Sequence, residues 1–108
     1  MNFDEYQKKT RETSIYPKEV AVVYPALGLN GEAGEVAEQV KKAIRDDGGV
    51  YTDDRLDKLH KELGDVLWYI SETATDLGLS LGDIAQGNID KLAGRKTRGT
   101  LQGSGNDR

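Results

Sequence analysis

No cysteine occurs in the 108 residues, which excludes a disulfide framework, a thiolate metal site and a cysteine nucleophile. There is one histidine, His60. Di-iron bundles pair Glu with Glu-x-x-His, and His60 stands two positions before Glu62 instead of three after a glutamate, so that chemistry is disfavoured. No apolar run approaches the roughly 20 residues of a membrane span. The opening Met1-Asn2-Phe3-Asp4-Glu5 is acidic where a secretory leader is basic. A cytoplasmic protein with no membrane partner is expected. The net charge of −4 repels phosphate backbones and argues against a nucleic-acid partner. Aromatic residues make up 6% and the apolar set 36%, enough for one small core. A chain of this size buries only about 60 to 65% of its unfolded surface, so association with further copies is expected. Glycine alone is in excess, at thirteen against two prolines.

The remaining pattern is helical. Asn2 with Glu5 three residues on is a capping box that opens a first helix running to about Thr13. Tyr16-Pro17 ends it. Val20 to Tyr24 has strand propensity but no partner strand, and reads as a connector. Pro25 suits a first helical position. From it Leu29, Ala33, Val36, Ala37, Val40 and Ile44 recur at helical steps to about Asp46, with Asn30-Gly31 loosening the first turn. Gly48-Gly49 breaks the chain. Thr52 caps a third helix whose Leu56, Leu59, Leu63, Val66, Ile70, Ala74 and Leu77 form an apolar stripe ending at Gly78. Ser80 with Asp83 starts a fourth, with Gly94 expected at its end. Fold class is therefore all-α, a four-helix bundle-like domain over 1–94, completed by oligomerisation and followed by a basic, Gly-rich tail at 95–108. That tail cannot pack a core, and is either disordered or ordered by a ligand or a neighbour.

Chemistry is concentrated in acids. Glu32, Glu35 and Glu38 follow one another at steps of three on the second helix, and Glu62 and Asp65 do so on the third. A step of three places side chains about 60° apart on one face. Like charges so placed repel, and these flank core-facing stripes. Either they form a solvated face, or they converge from two antiparallel helices on a hard cation such as Mg²⁺, with Mn²⁺ as substitute. Lys91 and Arg95 lie one turn apart on the fourth helix, with Asn88 one turn earlier. They either complement the helix dipole or grip phosphates. Trp68 is either a core aromatic or, with Tyr69, the wall of a base pocket.

At Gly31-Glu32-Ala33-Gly34-Glu35-Val36-Ala37-Glu38 and Lys61-Glu62-Leu63-Gly64-Asp65-Val66-Leu67 the sequence resembles the MazG-like nucleoside triphosphate pyrophosphohydrolases of the all-α NTP pyrophosphatase superfamily. The family's Glu-x-x-Glu and Glu-x-x-Asp fall on Glu32, Glu35, Glu62 and Asp65. A second Glu often precedes the first acid in that family; Gly31 stands there in this chain. Asn88-Ile89-Asp90-Lys91, with Arg95-Lys96 beyond, looks like the family's Asn-x-x-Lys segment, and Gly99 to Gly105 resembles tails of small phage-type and bacterial members. The likeness runs from about Leu27 to the C-terminus. It implies Mg²⁺-dependent hydrolysis of a nucleoside triphosphate to monophosphate and pyrophosphate by a homodimer or homotetramer. Glu32, Glu35, Glu62 and Asp65 would be metal ligands, with a helix-two glutamate or Glu38 as general base and Asn88, Lys91, Arg95 and Trp68 on the substrate. The contrasting reading is a helical module that binds nucleotide or drives oligomerisation without turnover. The glycines Gly31, Gly34 and Gly64 are expected to permit close helix approach or leave room for metal and phosphate.

Overall fold

The computed structural model describes all 108 residues and contains four α-helices and no strand. They are α1 (Phe3–Thr10), α2 (Val23–Asp46), α3 (Asp53–Asp76) and α4 (Leu81–Arg98). The expected caps are in place. Asn2 and Glu5 form the reciprocal capping box, Thr52 accepts the Arg55 N–H and Ser80 the Asp83 N–H. The connector is not a strand. It holds 3₁₀ turns at Arg11–Thr13 and Lys18–Val20, then a γ-turn in which Val23 N–H reaches Ala21 O at 2.7 Å and Val22 takes φ 67°. A β-branched residue is strained there, and Asp76 holds it by accepting the Val22 N–H at 2.9 Å.

Three boundaries differ from the sequence reading. α2 begins at Val23, so Pro25 is its third residue, where its missing N–H is still one of the helix's unpaired donors. Asn30-Gly31 lies inside regular helix. α4 runs through Gly94 to Arg98 and is terminated by Gly99 at φ 72°. Gly94 serves instead as a flat bed for Arg98, whose guanidinium lies 2.9 Å from where a Cβ would be.

The antiparallel α2–α3 hairpin forms the body. Its register is marked by Gly28 against Tyr69 and by Arg55, 7% exposed, which donates to Gln39 at 2.6 Å and Asp47 at 3.2 Å. α1 crosses α3 through Gln7–Thr75 and Thr10–Ser71 hydrogen bonds. Its Asp4 caps α4 by accepting from Ser80 Oγ and Gly82 N–H. The apolar core is thin: Ala43, Ala74 and Leu81 are buried, while Leu27, Ile44, Leu56, Leu63 and Ile89 are all more than half exposed. The radius of gyration, 16.7 Å, exceeds the roughly 13 Å of a compact domain this long. No helix is long and apolar enough to cross a membrane.

Of the glycines on the α2–α3 hairpin helices, Gly28 is the one that packing demands. A Cβ there would lie 2.2 Å from the Tyr69 ring, whereas Gly31, Gly34 and Gly64 have nothing within 4 Å. These three therefore do not mediate close helix approach. Gly28→Ala should lower stability by about 1–3 kcal/mol through overpacking, while Gly34→Ala should leave it unchanged or raise it by about 0.5–1 kcal/mol. Thermal denaturation of the two variants checks this.

Candidate metal centre

Helical pitch and hairpin register bring Glu32 of α2 opposite Glu62 and Asp65 of α3. One oxygen from each lies within 4.8 Å of the others, with Glu32 and Glu62 half-buried and Asp65 exposed. No lysine or arginine forms an ion pair with any of the three. The consequence is an unbalanced negative centre. A hydrogen bond with Glu62 pushes the Glu32 carboxyl up to about 7, helped by partial burial and by the charges of Asp65, Glu62 and Glu35. Partial protonation of Glu32 near neutral pH thus lowers the charge the cluster carries. Three oxygen donors at this spacing, without a thiolate or imidazole among them, fit a hard divalent cation.

The other acids are placed differently. Glu35 lies one turn along α2, exposed, near enough to act on Glu32 but outside the three-oxygen convergence. Glu38 pairs with Lys41 at 2.7 Å, and that hydrogen bond holds its carboxyl below the usual range. A general base needs a carboxylate free to take a proton, so Glu38 is poorly placed for that role.

Aromatic groups flank the acids. Burial pushes the Tyr69 hydroxyl up, with Tyr24, Glu32 and Asp65 adding to it. Burial likewise raises Tyr6, with Asp65 and Glu72 contributing. The sequence offered no signal for Tyr6, which lies on α1 far from the acid motifs and reaches them only through the α1–α3 crossing. Trp68 donates its indole N–H to Thr13 Oγ1 at 2.8 Å and packs edge-on against Tyr69; it fastens the 3₁₀ turn to α3.

On α4, Asn88 and Lys91 are exposed and lie outside the acid cluster. Arg95 is 5% exposed and is turned into the chain's own tail. Lys91 and Arg95 stand one turn apart on α4 as expected, but Lys91 is open to solvent while Arg95 is covered by the tail.

The site invites a test by pH. The folded Glu32 carboxyl, at about 7, lies above its unfolded value, so the folded state binds the extra proton. Its stabilising contribution is complete below about 4.5 and is lost as pH rises through 7. Metal-free protein should therefore show a falling melting temperature between pH 5 and 8. Added Mg²⁺ should raise the melting temperature more at pH 8 than at pH 5. Differential scanning calorimetry with EDTA or Mg²⁺ measures both.

Residues 25–99 match the family described as the MazG nucleotide pyrophosphohydrolase domain. The chain is 44% identical over 114 aligned positions to the "Gene 37 protein" of Mycobacterium phage L5, covering the whole of both proteins. No solved structure matches.

Proposed function

The chain belongs to the MazG nucleotide pyrophosphohydrolase family, and on that premise we propose that it hydrolyses a canonical or modified (deoxy)nucleoside triphosphate to the monophosphate and pyrophosphate, controlling a cytoplasmic nucleotide pool. The observation that carries this reading is the convergence of Glu32, Glu62 and Asp65, within the matched segment and with no protein cation to neutralise them. These three would hold Mg²⁺, or Mn²⁺ in its place, and Glu35 would join them as a fourth ligand. When bound, such a cation lets an acidic surface accept a polyanion and makes a coordinated water more acidic.

The chain's own groups then have separable tasks. Glu35, exposed and uninvolved in any ion pair, is the alternative candidate to take the proton from the attacking water. Glu38 is the weaker choice because Lys41 occupies it. Tyr6 and Tyr69, whose hydroxyls feel the charge of the acids, would restrict water beside them. Asn88 and Lys91 present a donor amide and a cation for phosphate oxygens, and Arg95 would join them once freed from the tail. Trp68 contributes to the base side by fixing Tyr69.

A homodimer or homotetramer is part of the proposal. The chain exposes 7595 Å², against about 5,900 Å² for a compact monomer of its mass. The excess of about 1,700 Å² per copy is of the size that an obligate interface removes. The half-exposed stripe of Leu56, Leu63 and Leu77 supplies an apolar face for it.

Purified protein with Mg²⁺ should release pyrophosphate, without orthophosphate, from at least one member of an NTP and dNTP panel. Glu62→Gln should reduce the rate at least about 100-fold while circular dichroism stays unchanged. Binding of nucleotide with no hydrolysis of any panel member would instead favour the non-catalytic binding module. In analytical ultracentrifugation the wild type should sediment as a dimer or tetramer, and Leu63→Glu should shift it toward monomer.

A further inference from the structure

The tail is held to α4 in an unusual way. Arg95 is covered because residues 100–108 fold back across it. Its Nη2 donates to Asn106 O at 2.8 Å, to Gly105 O at 3.3 Å and to Asn106 Oδ1 at 3.5 Å, while its Nε is buried with no partner. Arg98 Nη2 donates to the Arg108 main-chain oxygen. Arg108 donates to the carbonyls of Thr100, Leu101 and Gly105. No aspartate or glutamate forms an ion pair with any of these three arginines.

Little else secures the segment. No main-chain N–H from 101 to 108 has a main-chain acceptor, and Leu101, its one large apolar residue, is 45% exposed. The path turns at Gly103 (φ 144°) and Gly105 (φ 85°). The segment is thus held mainly by guanidinium-to-carbonyl bonds.

Nε and Nη2 form the edge of a guanidinium that grips an oxyanion with two parallel N–H bonds. In Arg95 one of these donors is unpartnered and the other has only uncharged acceptors. Phosphate oxygens offer charge-assisted bonds to both, roughly twice as strong as neutral ones. We infer that residues 100–108 are a displaceable cap over Arg95, and that the triphosphate group of a nucleotide displaces it. The identity of the ligand rests on the proposed triphosphate substrate; the cap itself rests on the contacts of Arg95. In the resting chain the strongest phosphate-binding side chain of α4 is occupied by its own tail, and substrate must expel the tail to use it.

The absence of native cysteine makes the test direct. Spin labels on Gln86→Cys and Ser104→Cys, both at exposed positions, report the distance from α4 to the tail by pulsed electron resonance, with labelled full-length chain diluted into unlabelled chain. In EDTA a narrow distribution is expected. Saturating inorganic tripolyphosphate should remove at least half of that narrow population, while sulfate at equal ionic strength leaves it in place. Arg95→Gln, with helix content verified by circular dichroism, should give a broad distribution before any ligand is added. The cap is overturned if the narrow distribution survives tripolyphosphate, if sulfate disperses it equally, or if Arg95→Gln retains it. With no metal and no turnover in the experiment, an inactive protein whose tail is released disproves only the hydrolase reading. An active protein whose tail stays fixed disproves only the cap.

Discussion

Carboxylates brought within 4.8 Å of one another repel, and the α2–α3 hairpin has to hold them together against that force. The restraint is applied on both sides of the acids. Toward the start of α2, the Tyr69 ring fills the notch at Gly28. Toward the hairpin loop, Arg55 ties Gln39 and Asp47 to α3. Glu32, Glu62 and Asp65 lie between these fastenings, so relaxation by splaying the helices would break one of them. The upward shift of the Glu32 carboxyl reflects a conflict that packing does not allow the backbone to resolve.

The same helix organises the N-terminal segment through a second set of acids. Glu72 is fully buried and is paired with Arg11 at 2.6 Å and with the Tyr16 hydroxyl at 3.3 Å. Asp76 takes Tyr16 at 2.7 Å and the strained Val22 N–H. A buried carboxylate requires partners, and here the partners are what draws α1 and the connector onto α3. Four acids of α3 thus divide the work. Glu62 and Asp65 have no protein cation beside them, whereas Glu72 and Asp76 are served by Arg11 and hold structure.

Much of this was legible in the sequence because it is local. Helix periodicity and the caps at Asn2, Thr52 and Ser80 depend on residues within one turn of each other, and the acid steps place side chains on one face without reference to anything distant. What depended on tertiary register was not legible. Gly28 carried no signal in the sequence because only the folded hairpin reveals the Tyr69 ring above it. Gly94 resembled a helix end, but αL geometry is adopted at Gly99 and the helix passes Gly94 undisturbed. Glu35 and Glu38 share a periodicity with Glu32, yet the crossing with α3 selects Glu32 alone, and Lys41 claims Glu38. That Arg95 would be covered by the chain's own tail was not legible either, since the tail's carbonyls leave no signature in composition.

Asp4 caps α4 across a separation of 76 residues to Ser80 and 78 to Gly82. For an all-helical domain that is an unusually non-local closure, and it reverses the ordinary order in which a chain acquires structure during synthesis. α1 is made first but has no surface to dock on until α3 is complete, and Asp4 has no helix end to cap until residues 80–83 have emerged. The α2–α3 hairpin can assemble while translation continues. The N-terminal turn waits for the final helix, so nascent chains stalled before residue 80 would carry the acid cluster without the element that closes the fold around it.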